Sequence, residues 1–191
     1  ALEACEKSLA RLDCGYIDLY LIHWPLKALR NDSWKAFIEL QKRGLCRSIG
    51  VSNFTIDNLK ELEEKYDVLP AINQVEFHPY HYQKELLEYC NSKNIIIEAY
   101  SPLVHAKRMD EPRLIAISDE LGKTPAQVLI RWAIQRGMVV LPKSVNQDRI
   151  VENFAVFDFD ISNSLMRRLD DLDERYVTCW DPHNPPPYAP V

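Results

Sequence analysis

Apolar positions along this chain follow two periods in turn. Short runs of apolar, β-branched or aromatic residues recur at 16–23, 48–51, 71–75, 95–99 and 139–141, with the length and composition of strands. The segments between them carry apolar residues three and four apart, the mark of helices. The chain opens inside such a segment, with Leu2, Cys5, Leu9 and Leu12 on one face and Glu3 and Lys7 paired on the other. Asp32 or Ser33 is expected to open a further helix that Gly44 stops, and Thr55 another whose apolar face is Ile56, Leu59, Leu62 and Tyr66. The clearest start is Thr124-Pro125-Ala126-Gln127. A capping Thr, Pro at the first helical position and Gln three residues on precede Val128, Leu129, Trp132 and Ala133, and Gly137 follows the end. Trp34 and Trp132 lie on apolar helical faces and are expected in the core.

Strands this apolar, joined by helices, imply an α/β fold with a parallel sheet buried on both faces. No G-x-G-x-x-G follows a strand, and a total of five glycines leaves little for a Rossmann phosphate loop, which needs them for its turn and for close backbone approach. A (β/α)8 barrel is favoured over a doubly wound sheet. Five strands do not close a barrel, and a complete one typically takes roughly 250 residues against 191 here. With a start inside a helix, this leads us to expect a single partial barrel domain: residues 1–176 as β/α units and a terminal helix, 177–191 as a C-terminal loop rich in proline.

Composition removes several classes. A net charge of −5 with scattered Lys and Arg does not make the basic stripe that nucleic acid requires. No apolar run reaches the roughly 18–20 residues of a membrane span. Five cysteines, odd in number and without a C-x-x-C pair, fit a reducing cytoplasmic compartment better than a disulfide or zinc scaffold. His78 and His81 flank Pro79 without a third ligand, so no metal is expected there. His105 and His183 have no distinguishing context.

In a parallel barrel the site forms where strands end. His23 closes YIDLYLIH, Ser52 and Asn53 follow IGV, Gln74 ends AINQ, Tyr100 and Ser101 follow IIIEA, and Lys143 and Ser144 follow VVLP. Lys143, Ser144 and Arg149, in the first turn of a helix that Asn146 can cap, suit a phosphate group. The bland alternatives stand beside these: Ser52 and Asn53 as caps of the helix near Thr55, Gln74 and Tyr100 as ordinary strand residues, Lys143 and Arg149 as a solvated pair, and Trp180 as a pocket wall or a mere cover.

LIHWP, GVSNF, NQVEFHPY, AYSPL, LPKSV and RIVENF, in this order and spacing, resemble the aldo-keto reductase family. The resemblance covers nearly the whole chain and implies strands 4–8 of a parallel (β/α)8 TIM barrel, with NADPH as cofactor and hydride transfer to an aldehyde or ketone carbonyl as the reaction. It further implies that Ser52, Asn53 and Gln74 bind the nicotinamide carboxamide and that Tyr100 stacks on its ring. Ser101 and Leu103 would line the pyrophosphate channel, and Lys143, Ser144, Val145, Arg149, Glu152 and Asn153 would hold the adenosine end. His23 would be the catalytic histidine that orients the substrate carbonyl, with Trp24 in the substrate pocket. The family's Asp, Tyr and Lys precede the helix in which this chain opens, and no residue here matches them. The other reading is therefore a catalytically inactive, truncated paralogue that binds cofactor or serves a structural or interaction role.

Overall fold

The computed structural model describes residues 1–179; the C-terminal loop expected over 177–191, with Trp180 and His183, falls almost wholly outside the described residues. Five parallel strands alternate with helices: β1 (Ile17–Ile22), β2 (Cys46–Ser52), β3 (Ile72–Glu76), β4 (Ile96–Tyr100) and β5 (Val139–Leu141), each beside its sequence neighbour. The helices are α1 (Leu2–Leu12), α2 (Arg30–Lys42), α3 (Ile56–Lys65), α4 (Lys84–Ser92), α5 (Pro112–Leu121), α6 (Pro125–Gln135), α7 (Gln147–Phe154) and α8 (Asn163–Asp170). Backbone contacts divide the chain into two compact units, Ala1–Gln74 with Glu88–Ile96, and Val75–Leu87 with the chain from Ile97 onward.

In the first unit, Ile17 pairs with Cys46 and Ile22 with Val51, and β2 passes the register to β3 through Val51 with Asn73 and Ser52 with Gln74. Gly50 is required at the centre of this ladder. A Cβ there would sit 2.7 Å from Leu21 Cδ2 and 2.8 Å from the Ile72 carbonyl oxygen, closer than packed atoms approach. Trp34, Leu40, Leu59 and Leu62 are fully enclosed, each contributing about 2–3 kcal/mol through burial. The Trp34 indole also donates to the Val68 carbonyl at 3.1 Å, so its one polar atom is not stranded.

In the second unit, Glu98 pairs with Val139 and Tyr100 with Leu141. Helix α6 carries the capping box read in the sequence: the Thr124 hydroxyl accepts from the Gln127 N–H, and the Gln127 side chain returns to the Thr124 N–H. Its buried residues are Val128, Leu129, Ile130, Trp132 and Ala133, all but Ile130 on the face the period required. The Trp132 indole donates to Asp170 at 2.9 Å, and Arg136 pairs with the same carboxylate, tying α6 to α8.

Three local expectations differ from what forms. Helix α2 opens at Arg30, ahead of Asp32 and Ser33, because a preceding turn takes over the capping: the Leu26 carbonyl accepts the Leu29 and Arg30 N–H groups without any side chain. Strand β3 runs on to Glu76, so Gln74 is a mid-strand residue and not its end. On α1 only Cys5 is buried, with Leu2 38% and Leu12 62% exposed, so the apolar period overstates what that helix packs.

Candidate functional site

Polar residues at the C-terminal ends of β1 and β2 form one hydrogen-bonded cluster with Gln74 of β3 in the first unit. Asn53 follows β2 in the left-handed region, at φ 62°, which Asn tolerates better than most side chains. That backbone turn lets its N–H donate to the Gln74 carbonyl at 2.8 Å. Its side-chain amide donates to the His23 carbonyl and to Ser52 Oγ, both at 3.1 Å. The Ser52 hydroxyl donates in turn to the Gln74 carbonyl at 2.8 Å. Ser52 and Asn53 are 2% and 3% exposed, so these bonds form away from solvent. Below them, Asn73 and Phe54 exchange hydrogen bonds at 2.9 and 3.3 Å. The cap of α3 is Thr55, which accepts from Asn58, and this leaves Ser52 and Asn53 available for other work.

His23 comes directly after β1, with its ring exposed and Trp24 half-buried beside it in sequence. The structure thus brings His23, Ser52, Asn53 and Gln74 together, four of the residues named from the sequence.

In the second unit, Tyr100 ends β4 half-buried. Burial, followed by the neighbouring Cys179 and Glu76, pushes its phenol well above the ordinary tyrosine range, so it stays a neutral ring at any physiological pH. Ser101 enters the left-handed region at φ 50°, and Val104, His105 and Ala106 follow at 53°, 50° and 61°. Four non-glycine residues in this region within six positions, one of them β-branched, store backbone strain. Leu103 lies half-buried within the same bend.

Beyond β5, Ser144 and Asn146 exchange two hydrogen bonds, and Asn146 Oδ1 accepts from the Arg149 N–H at 3.0 Å to cap α7. Lys143 and Arg149 are exposed, Glu152 is half-buried and Asn153 buried. Val145, 87% exposed, touches little. Next to the cap, Pro142, Ser144, Ile150, Val151, Asn153 and Phe154 line a cleft of about 430 Å³. Two exposed cations, Lys143 and Arg149, stand at the start of this capped helix, with Asp148 in the same first turn.

A feature the sequence did not reveal lies beside Tyr100. Glu76 is 3% exposed and accepts from Thr178 N–H at 2.8 Å, Cys179 N–H at 3.0 Å, the Thr178 hydroxyl and His78 Nε2 at 3.1 Å. Burial alone would raise its carboxyl, but the bonds from His78, Thr178 and Cys179 outweigh burial and hold it at about 2. His105 contacts Ser101 and Cys179. Thr178 and Cys179 lie 74 to 103 residues from the Glu76 and His105 side chains they meet, so no local pattern announced these contacts. No group of three or more His, Cys, Asp or Glu side chains suited to a metal occurs among the described residues, nor is any described helix long and apolar enough to cross a membrane.

A family model described as "Aldo/keto reductase family" matches residues 1–174. The chain is 47% identical over 176 residues to glyoxal reductase of Bacillus subtilis, covering 91% of this chain and 64% of that protein. It is 43% identical over 176 residues to the methylglyoxal reductase DkgA of Salmonella typhimurium, covering 90% and 64%. A solved aldo-keto reductase of the silkworm Bombyx mori, complexed with NADPH, superposes with a TM-score of 0.86 at 33% identity, covering 92% of this chain and 60% of that one. The chain spans 64% of the length of either curated relative.

Proposed function

The chain belongs to the aldo/keto reductase family, and on that premise we propose that it binds NADPH and serves hydride transfer to a small aldehyde or ketone. The family is one of NAD(P)H-dependent oxidoreductases. The observation that carries the reading is the cluster of His23, Ser52, Asn53 and Gln74 at the ends of β1 and β2 and within β3. Asn53 and Ser52 are turned and tied before any ligand arrives, which spares a planar carboxamide the cost of ordering them. When bound, the cofactor supplies the hydride; the chain's own residues bind and orient. In this reading Ser52, Asn53 and Gln74 hold the carboxamide, and Tyr100, kept neutral by burial, presents a ring face for stacking. Ser101 and Leu103 lie along the pyrophosphate. Lys143, Ser144, Val145, Arg149, Glu152 and Asn153 take the adenosine end, where the two cations favour a 2′-phosphate. His23 orients the carbonyl oxygen, with Trp24 in the substrate pocket.

The fold reading that goes with this is an incomplete (β/α)8 barrel holding strands 4–8. No residue of the 191 matches the family's proton-donating Tyr or its Lys and Asp, so we place cofactor binding ahead of turnover for this chain by itself. The alternative role, a cofactor-binding or interaction protein without catalysis, rests on that same mismatch. The free cysteines fit a cytoplasmic setting, and the names of the two curated relatives make short dicarbonyls the first substrates to try.

Titration of the purified 191-residue protein with NADPH, followed by fluorescence, tests the reading. Saturable one-to-one binding, with weak or no reduction of glyoxal, is expected. A folded protein that leaves NADPH fluorescence unchanged would overturn cofactor binding, and brisk turnover abolished by His23→Ala would overturn the limit on catalysis.

A further inference from the structure

Cys5 of α1 and Cys46, the first residue of β2, lie 41 residues apart in sequence and meet in the first unit with their sulfurs 3.7 Å from each other. Both are enclosed, at 0% and 1% exposure. Burial first, and then the neighbouring Cys5, pushes the Cys46 thiol up to about 12, so it stays protonated while the two are covered. The two sides of the contact are held unequally. Cys46 belongs to a strand laddered to β1 through Ile17. Helix α1 buries Cys5 alone, whereas α2 buries Trp34, Phe37 and Leu40. The Arg43–Glu6 ion pair that joins α1 to the end of α2 is exposed and adds little. A helix held by so few buried side chains opens locally at low cost, and that opening carries Cys5 into water.

We propose that Cys5 and Cys46 form a dithiol site that hydrogen peroxide converts to a disulfide, stapling α1 to β2. In the opened state the Cys5 sulfur attacks one peroxide oxygen. An S–O bond forms as the O–O bond breaks, and the Cys5 proton leaves with the departing hydroxide as water. The sulfenic acid so formed adds one oxygen atom to the side chain, small enough for α1 to bring it back toward β2. There the Cys46 sulfur attacks the Cys5 sulfur: the S–S bond forms, the S–O bond breaks, and the hydroxide takes the Cys46 proton and leaves as a second water. Two thiols are oxidised and one peroxide is reduced to two waters, so atoms and electrons balance. Small thiols reverse the change by exchange. The site uses none of the residues that hold cofactor in our reading.

The chain supplies its own reference. Cys90 is as enclosed as Cys5, but its thiol bonds to Asn73 and not to a second sulfur. Treatment of the intact protein with hydrogen peroxide, quenched over time and mapped by peptide mass spectrometry without reduction, reads each cysteine separately. The Cys5–Cys46 linked peptide is expected to accumulate about tenfold or more faster than any oxidised form of Cys90, and dithiothreitol to restore both thiols. Amide hydrogen exchange over Leu2–Leu12 should slow about tenfold in the oxidised protein, because the staple suppresses the opening. In Cys46→Ser, which circular dichroism checks for folding, Cys5 should stop at the sulfenic acid and be trapped by dimedone. If that variant is unfolded, the linked peptide and the exchange rates of the unaltered protein decide. Cys5 and Cys46 still thiols when Cys90 is oxidised, linkage of either to a different cysteine, or exchange in α1 unchanged by the link would overturn the proposal.

Discussion

At the end of β2 the polar side chains are fixed by backbone carbonyls, whereas at the start of α7 they stand in solvent with only the helix cap to organise them. Ser52 and Asn53 are nearly fully buried and bonded to the Gln74 and His23 carbonyls; Lys143 and Arg149 are exposed. The difference fits what each cluster would recognise under the proposed function. A carboxamide is told apart by donor and acceptor positions, so its partners gain from being ordered in advance. A phosphate attracts charge from a distance and from any direction, and flexible cations on a helix N-terminus suffice. Order at the first cluster is set during folding, while at the second a bound anion would have to supply it.

Substitutions can break this contrast in a graded way. Gly50→Ala should have the largest effect, because the added methyl meets the Ile72 carbonyl and Leu21. A loss of about 2–3 kcal/mol in urea unfolding is expected, with the strand-end cluster displaced as well. An unchanged midpoint would mean that β2 and β3 are not held as closely as described.

Acid comes next. Glu61, against Lys65, Asn31 and Arg30 in the first unit, and Glu76 in the second both lie at about 2. Their folded-state values are depressed, so their stabilisation is complete above about pH 4.5 and is lost as pH falls toward 2, on the order of 2–3 kcal/mol for the more buried Glu76. Urea midpoints of wild type and Glu76→Gln should therefore converge as pH drops through that window. A constant gap would show that the Glu76 network does not act through its charge.

Asn53→Ala should cost about 2 kcal/mol, from the lost side-chain bonds and the left-handed backbone, with Asn53→Gly recovering part of it because glycine accepts that φ. If the glycine variant were the less stable of the two, the turn would not be what Asn53 contributes. Lys143→Ala should leave the urea midpoint within about 0.5 kcal/mol, since the exposed ammonium makes no hydrogen bond or ion pair among the described residues, and should act on phosphate binding alone.

Much of this architecture was legible in the sequence. The five strand runs, the capping box at Thr124 and the buried Trp34 and Trp132 are local patterns, and each formed where the period and the caps required. Strand-end logic also singled out His23, Ser52 and Asn53, which the structure joins by hydrogen bonds. What escaped was set by distance in the chain or by backbone rather than side-chain capping. Helix α2 starts early because Leu26 caps it with a carbonyl, which no residue type signals. Glu76 and Thr178, or His105 and Cys179, meet only after folding. The left-handed run Val104 to Ala106 contains no glycine, so nothing in its composition announced a turn.

The proposal that Asn53 takes the carboxamide of NADPH and Lys143 its phosphate is tested most directly by cofactor fragments. Calorimetric titration of the wild type, Asn53→Ala and Lys143→Ala with NADPH and with adenosine 2′,5′-bisphosphate separates the ends. The account predicts that both substitutions weaken NADPH, and that only Lys143→Ala weakens the bisphosphate, by about tenfold for one lost charge-assisted bond. Bisphosphate binding indifferent to Lys143→Ala, or weakened as much by Asn53→Ala in a folded protein, would contradict it.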